Sequence, residues 1–346
     1  RQGLFGGLTT GLALFFIANY LYQTGLIFYN SLIINVSSEE TRGIVSGIGI
    51  GAGYVGLFVA FLLFEPQVEK YGNQWAFLPT AGMYVLFALP LLLILKEGGA
   101  MRRLDKSLVI DSYRQLYGTF QRARAHVNLF RFIIARFAYT EAVNTVSSFY
   151  VLYLVEIGVA TDNEAVNFVT TLLLVAVVAS VAVGFLVSKF GPKRVLMVGI
   201  AGWTVVVLGV SLVVGVSFIG VNLTIFGLSL PATLWAVGLL GGLAWASPQI
   251  ADRVLLTKLA PDGQVGEFFG LFQMSGRLSA ALGPALWWLI TTTLISLGAV
   301  RFRIAMSLLA VFLIVGFLIL LWVREEREES DLSDADEQAS AAQVVD

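Results

Sequence analysis

Nine apolar runs follow one another along the chain, most of them at or above the roughly 20 residues an α-helix needs to cross a bilayer. They cover 4–33, 43–64, 75–95, 129–155, 166–188, 195–217, 231–257, 268–292 and 303–323. The segments between them alternate in charge. Lys96, Arg102, Arg103, Lys106, Arg114, Arg122 and Arg124 crowd 96–128, KFGPKR (189–194) is basic, and Arg253 and Lys258 close the seventh run. By contrast 156–165 holds Glu156, Asp162 and Glu164 with no base, and 218–230 has no charge. Basic loops stay on the cytoplasmic side, so the runs are read as membrane-spanning helices of alternating direction. Arg301 and Arg303 fall on the outer side against that trend.

Composition agrees: 57% of the 346 residues are hydrophobic and 13% charged, against about 25% charged in a soluble domain. A net charge of −1 gives no case for nucleic acid. The chain has no cysteine and one histidine, His126 in a polar stretch, which removes thiolate and most imidazole metal sites. No G-x-x-x-x-G-K-[ST] loop and no H-E-x-x-H pair occurs. GAGYVG (51–56) matches a dinucleotide fingerprint but lies inside an apolar run with no strand before it. No catalytic residue, metal or cofactor is expected.

Two segments outside the spans have readable character. In 96–128, Val109, Tyr113, Leu116, Tyr117 and Phe120 recur at helical spacing among basic residues, the pattern of a linker helix lying on the membrane surface. The acidic, small-residue tail 324–346 has little to bury and reads as disordered.

The spans also repeat. An offset of 223 places Gly43 on Gly266, Gly47 on Gly270 and Gly53 on Gly276, each in a polar loop running into a glycine-studded span. Parallel repeats about an axis along the membrane normal mark two-bundle secondary transporters. The offset assigns 1–95 to a partial N-terminal bundle of three helices and 129–323 to a six-helix C-terminal bundle. The partners of 129–217 then fall before Arg1, so the chain reads as helices four to twelve of twelve.

FYNSLIINVSSEETRGIVSGIGIGAGYVG (28–56), QIADRVLLTKLAP (249–261) and GEFFGLFQMSGRLSAALGP (266–284) resemble the autophagy-related vacuole effluxer branch of the major facilitator superfamily. Phe28, Tyr29, Asn30, Arg42, Gly43, Ser46, Gly47, Gly49, Gly53 and Tyr54 match the early motif, and Glu267 to Leu271, Ser275, Gly276 and Arg277 the late one. GFLVSKFGPKR (184–194) keeps Gly184, Gly191, Lys193 and Arg194 of the superfamily's basic cytoplasmic motif, with Ser188 in place of its Asp. The resemblance implies an all-α membrane protein of the major facilitator superfamily fold, with about nine helices present of an expected twelve, and a link to amino-acid efflux.

Polar residues inside the spans mark a solute path. Arg277 lies ten residues past Glu267 and Glu141 ten past Arg131, each about 15 Å deep. A lone charge at that depth costs about 2.5–3.5 kcal/mol on insertion scales. Opposite signs at equal depth therefore predict a pair across the cavity. Displacement of Glu141 by a solute carboxylate would free it to take a proton. Asn144 and Ser148 share the face of Glu141; Asn19, Gln23 and Asn30 form one stripe on the first span; Trp245, Gln249 and Asp252 another on the seventh. Arg136 is read as reaching to the cytoplasmic interface, and Asp252 with Arg253 as a salt bridge at the inner mouth. Gly43, Gly47, Gly49, Gly51, Gly53, Gly270 and Gly276 form close helix seams.

Together these features predict a monomeric secondary transporter of small polar solutes, with protons as coupling ion. Its partners are the solute and membrane lipid, and its place is the bacterial cytoplasmic membrane, or the vacuolar membrane in a fungus. The competing reading is a membrane scaffold that binds without transporting.

Overall fold

The computed structural model describes residues 7–94 without 73, 118–213 without 119 and 122, and 221–325 without 226 and 262. Its helices are α1 (Leu8–Ser31), α2 (Ile33–Val36), α3 (Arg42–Tyr71), α4 (Gln74–Ile94), α5 (Val127–Glu156), α6 (Asp162–Phe190), α7 (Pro192–Leu208), α8 (Ala232–Leu259), α9 (Val265–Thr293) and α10 (Val300–Leu321). The nine apolar runs thus become helices at nearly the predicted bounds. A two-stranded antiparallel hairpin, Asn222–Ile225 with Leu228–Pro231, precedes α8. The surface helix expected within 96–128 lies mostly outside the described residues, as does the acidic tail beyond Glu325.

Seven stretches of the described residues are long and apolar enough to cross a membrane. The helices α5 and α9, at 30 and 29 residues, have the length. They fall short in apolarity because Glu141, Asn144, Ser147 and Ser148 interrupt one and Gln273 and Arg277 the other. Large apolar side chains cover the outer surface, including Phe77, Leu78, Val178 and Val198, as lipid contact requires. The protein is an all-α, multi-pass membrane protein.

Local signals set the turns. Thr161 and Glu164 form a reciprocal capping box that starts α6. Gly191, at φ 87°, ends α6, and Pro192 opens α7 at once. The fully buried aromatics Phe132, Tyr139, Tyr153, Phe168, Trp235, Phe268 and Phe269 all belong to α5, α6, α8 and α9. Within that bundle α5 packs on α9 and α10, and α8 on α6 and α7. The helices before it attach through α3, which lies along α6 and touches α8, and through α1, which lies on α9.

The repeat is visible in the helix bounds. Adding 223 to α3 gives 265–294, against Val265–Thr293 for α9. Adding it to α1 gives 231–254, against Ala232–Leu259 for α8.

The glycine seam is narrower than the sequence implied. A Cβ on Gly43 would lie 2.7 Å from the Ser188 backbone nitrogen. One on Gly47 would lie 2.6 Å from the Ser180 carbonyl and 2.7 Å from Gly184 Cα, and one on Gly51 2.6 Å from Ser180 Oγ. These three stand four residues apart and share one face. Gly49 meets only the Tyr29 hydroxyl at 3.6 Å, and Gly53 and Gly270 face open space. Two residues off the seam row is about 200° around a helix, so Gly49 and Gly53 do not belong to it, and Gly270 on α9 makes no close helix contact. Gly276 makes room for a guanidinium, with Arg136 Nη1 2.9 Å from its would-be Cβ.

Candidate functional site

A cavity of about 350 Å³ opens between α1, α3, α5, α8 and α9. Its polar lining includes Asn30 from α1, Asn144 from α5, Gln249 from α8 and Gln273 from α9. Four charged residues complete it: Arg136, Asp252, Arg253 and Arg277.

Arg136 and Asp252 form the centre. The Arg136 Nε stands 3.2 Å from Asp252 Oδ2, with both side chains almost fully buried. Arg136 Nη1 also donates to the Phe272 carbonyl at 2.7 Å and to Ser275 Oγ at 2.9 Å. The guanidinium lies 3.5 Å from the Phe272 ring centroid, a cation–π contact. Tyr139, one helical turn from Arg136, donates its hydroxyl to Asp252 Oδ1 at 2.7 Å. Both carboxylate oxygens are thereby occupied. Arg136 does not reach for the interface, because its partner is inside the bundle.

Arg253 does not pair with Asp252 either. Neighbouring residues on a helix point about 100° apart, and Arg253 turns toward the first half of the chain. Its Nη1 donates to Asn30 Oδ1 at 3.1 Å, and Nη2 to Ser46 Oγ at 2.8 Å and the Ser46 carbonyl at 3.1 Å. Ser46 in turn donates to the Ile250 carbonyl at 3.2 Å. One turn further along α8, Arg42 Nη1 donates to Thr257 Oγ1 at 3.1 Å. This layer fastens α1 and α3 to α8.

The expected pair of Arg277 and Glu141 does not form. Arg277 Nη2 donates to Gln23 Oε1 on α1. Glu141 is fully buried, and its Oε1 accepts from Thr145 Oγ1 at 3.1 Å while Oε2 has no partner. Both Glu141 and Thr145 press on Gly283 of α9. Gly283 lies six residues past Arg277, about 9 Å along the axis and on another face. Glu141 is thus level with Gly283 and not with Arg277, so the equal depth expected from the sequence does not hold either.

Other predicted positions divide. Asn144, Gln249, Asp252, Arg253 and Arg277 line the cavity. Gln23 stands behind Arg277 as its tether. Asn19 is exposed on α1, and Ser148 bonds back to the Asn144 carbonyl at 2.9 Å. Trp245 faces a second, mainly apolar cavity of about 260 Å³ with Trp203, their rings 5.6 Å apart. In the cytoplasmic motif, Gly184 is the floor of the glycine seam, Gly191 makes the turn and Arg194 is exposed. The Lys193 amide donates to Glu325 Oε1 at 2.8 Å, and Lys258 Nζ lies 3.7 Å from Glu325 Oε2. Glu325 thus places a carboxylate on the N-terminus of α7, where the helix dipole favours it. The sequence signal for Glu325 was hidden in an acidic run assigned to the tail.

A family model described as "Vacuole effluxer Atg22 like" matches residues 34–333. The chain is 25% identical over 329 residues to the "Uncharacterized MFS-type transporter YxiO" of Bacillus subtilis, covering 91% of this chain and 71% of that protein. It is 24% identical over 273 residues to the "Autophagy-related protein 22" of Eremothecium gossypii, covering 74% of this chain and 52% of that one. The protein of the same name in Saccharomyces cerevisiae is 21% identical over 324 residues, covering 85% of this chain and 60% of that one.

Proposed function

The chain belongs to the Atg22-like vacuole effluxer family, and from that premise we propose that it moves a small polar solute through the Arg136–Asp252 cavity by alternating access. The observation that carries this reading is where the cavity sits. Its walls come from helices of both repeat halves, α1 and α3 on one side and α8 and α9 on the other. Such an interface is where secondary transporters bind their substrates.

Below the cavity, the Arg253–Asn30–Ser46 and Arg42–Thr257 contacts join the halves near the basic-loop ends of α3 and α8. In this reading they close the cytoplasmic mouth, and must break for the cavity to open inward. None of those contacts is an ion pair, so breaking them does not leave a carboxylate stranded. The Gly43–Gly47–Gly51 row against Ser180 and Gly184 gives the halves a close seam on which to rock.

Amino-acid efflux is the finer reading. It is supported by the family description as an effluxer, by the resemblance of the motifs, and by a cavity volume within the range of small-molecule sites. Protons are the proposed coupling ion. Asp252 is the one carboxylate lining the cavity among the described residues, so in this reading it takes the carrier role that the sequence pattern gave to Glu141. The cavity lies within one chain, which suits a monomer, and the membrane is the bacterial cytoplasmic or the fungal vacuolar one.

The test is counterflow. Liposomes carrying the full-length protein and loaded with unlabelled amino acids should accumulate labelled solute, and Asp252→Asn should abolish proton-driven movement. Counterflow with no member of a broad amino-acid panel would overturn the amino-acid reading; proton-driven movement unchanged in Asp252→Asn would overturn the carrier role.

A further inference from the structure

We propose that the solute is a small organic anion, one whose carboxylate groups outnumber its cationic groups. This rests on the transport reading of the cavity and narrows it. Among the described residues, three guanidinium groups line the cavity against one carboxylate, a formal excess of two positive charges. The carboxyl nearest along α5, Glu141, is not a lining residue: it faces Thr145 and Gly283.

The partners of the three arginines differ in kind. Arg136 has an anion, Asp252. Arg253 has an amide oxygen, a hydroxyl and a carbonyl. Arg277 has the amide oxygen of Gln23. Dipoles orient these two cations but do not neutralise them: Arg253 is buried, where an unbalanced charge is costly, and Arg277 is exposed and open to a solute. Arg277 is the one free to meet it. Its bond to Gln23 crosses from α9 to α1, its side chain lines the cavity, and a carboxylate replaces an amide oxygen with a stronger, bidentate acceptor. Asn144 and Gln249 add neutral donors on the neighbouring walls.

The same geometry disfavours selection through an ammonium group. Among the described residues the one lining carboxylate already has a contact at each oxygen, Arg136 at one and the Tyr139 hydroxyl at the other. A solute cation therefore meets one carboxylate whose charge Arg136 already balances, while a solute anion meets two guanidiniums with no carboxylate partner among the described residues. A positive cleft with apolar walls also concentrates anions before binding.

Binding of four probes to the purified full-length protein, read as thermal stabilisation against concentration, tests this: succinate, glutamate, leucine and lysine. Affinity should follow net negative charge, succinate and glutamate above leucine and lysine, and should weaken with added salt. Arg277→Gln should lower anion affinity by about tenfold or more, the loss of one charge-assisted interaction, and Arg277→Lys should restore part of it. Leucine or lysine binding more tightly than both anions overturns the inference. So does Arg277→Gln leaving anion affinity unchanged, or the absence of binding by any of the four. The two readings separate in counterflow. Anions that bind but are never exchanged leave the site standing and remove the transport reading. Exchange of neutral solutes, indifferent to anions, leaves transport standing and removes this one.

Discussion

Asn30 and Arg253 are hydrogen-bonded at 3.1 Å and stand 223 residues apart, the same offset that lays α1 on α8 and α3 on α9. Two residues at equivalent positions of a twofold repeat can touch only where the symmetry axis passes between them. The contact therefore locates the internal axis of the repeat, and it lies in the layer that joins the two halves beneath the cavity. The prediction concerns that layer. Arg253→Ala removes donors to Asn30 and to Ser46 and leaves those acceptors buried, at about 1–3 kcal/mol each. It should shift the protein toward a cytoplasm-open state. The chain has no cysteine of its own, so a single Ile50→Cys in the cavity wall reports access cleanly. Labelling from the cytoplasmic side should rise several-fold in the Arg253→Ala background. Equal labelling in both backgrounds would show that the layer does not control access.

The glycine row gives a contrast within one helix. Gly47→Ala puts a methyl group 2.6 Å from the Ser180 carbonyl and 2.7 Å from Gly184 Cα, both backbone atoms that cannot step aside. Overpacking of that kind costs about 1–3 kcal/mol. Gly53→Ala meets nothing within 4 Å and replaces a poor helix former with a good one. Melting of the purified protein should therefore fall for Gly47→Ala and hold or rise for Gly53→Ala. The reverse order would place the seam on the other face of α3.

How far the sequence shows this protein depends on which property is asked for. Helix positions were legible because apolar length is a property of one segment. Charged-loop alternation and the 223-residue offset were legible for the same reason, since neither needs side-chain direction. Partnerships were not. Arg277 and Glu141 matched in residue count and in opposite sign, yet Arg277 turns to Gln23 and Glu141, level with Gly283, to Thr145, because the axial offset and the rotation of α5, α9 and α1 against one another are set by packing. Arg136 and Tyr139 stood three residues apart and pointed one way; that spacing was the available sign that α5 carries a polar anchor for Asp252. Of the glycines, periodicity alone could have chosen between the row of Gly43, Gly47 and Gly51 and the pair Gly49 and Gly53, but not which row met α6.

The central ion pair should behave as a unit. Asp252→Asn leaves the buried Arg136 without its anion, and breaking a buried pair from one side costs about 3–5 kcal/mol. Tyr139→Phe removes one hydrogen bond to the same carboxylate, about 1.5–3 kcal/mol. Because both act on Asp252, their effects should not add, and the double variant should be less destabilised than the sum by about 0.5 kcal/mol or more. Denaturation of the single and double variants in one detergent measures this. Strict additivity would mean that the Tyr139 hydroxyl contributes nothing through Asp252.

Glu141 provides the sharpest separation between the pairing drawn from sequence and the packing seen in the structure. Were it the counter-ion of Arg277, Glu141→Gln would remove that cation's partner and cost as much as breaking an ion pair. In the structure its one hydrogen bond is accepted from Thr145, at 3.1 Å, and its other oxygen has no partner. The amide oxygen of glutamine can accept that same bond in the same volume, and there is no cation to strand. Glu141→Gln should therefore change stability by less than about 1 kcal/mol. What the site does depend on is space. The Glu141 and Thr145 side chains occupy the position that a Cβ at residue 283 would take. Gly283→Ala must push both helices apart or force Glu141 off its rotamer, at about 1–3 kcal/mol or more. Melting temperatures of the two variants decide it: a small change for Glu141→Gln beside a large loss for Gly283→Ala supports the packing role, and the opposite ranking would restore Glu141 as an ion-pair partner.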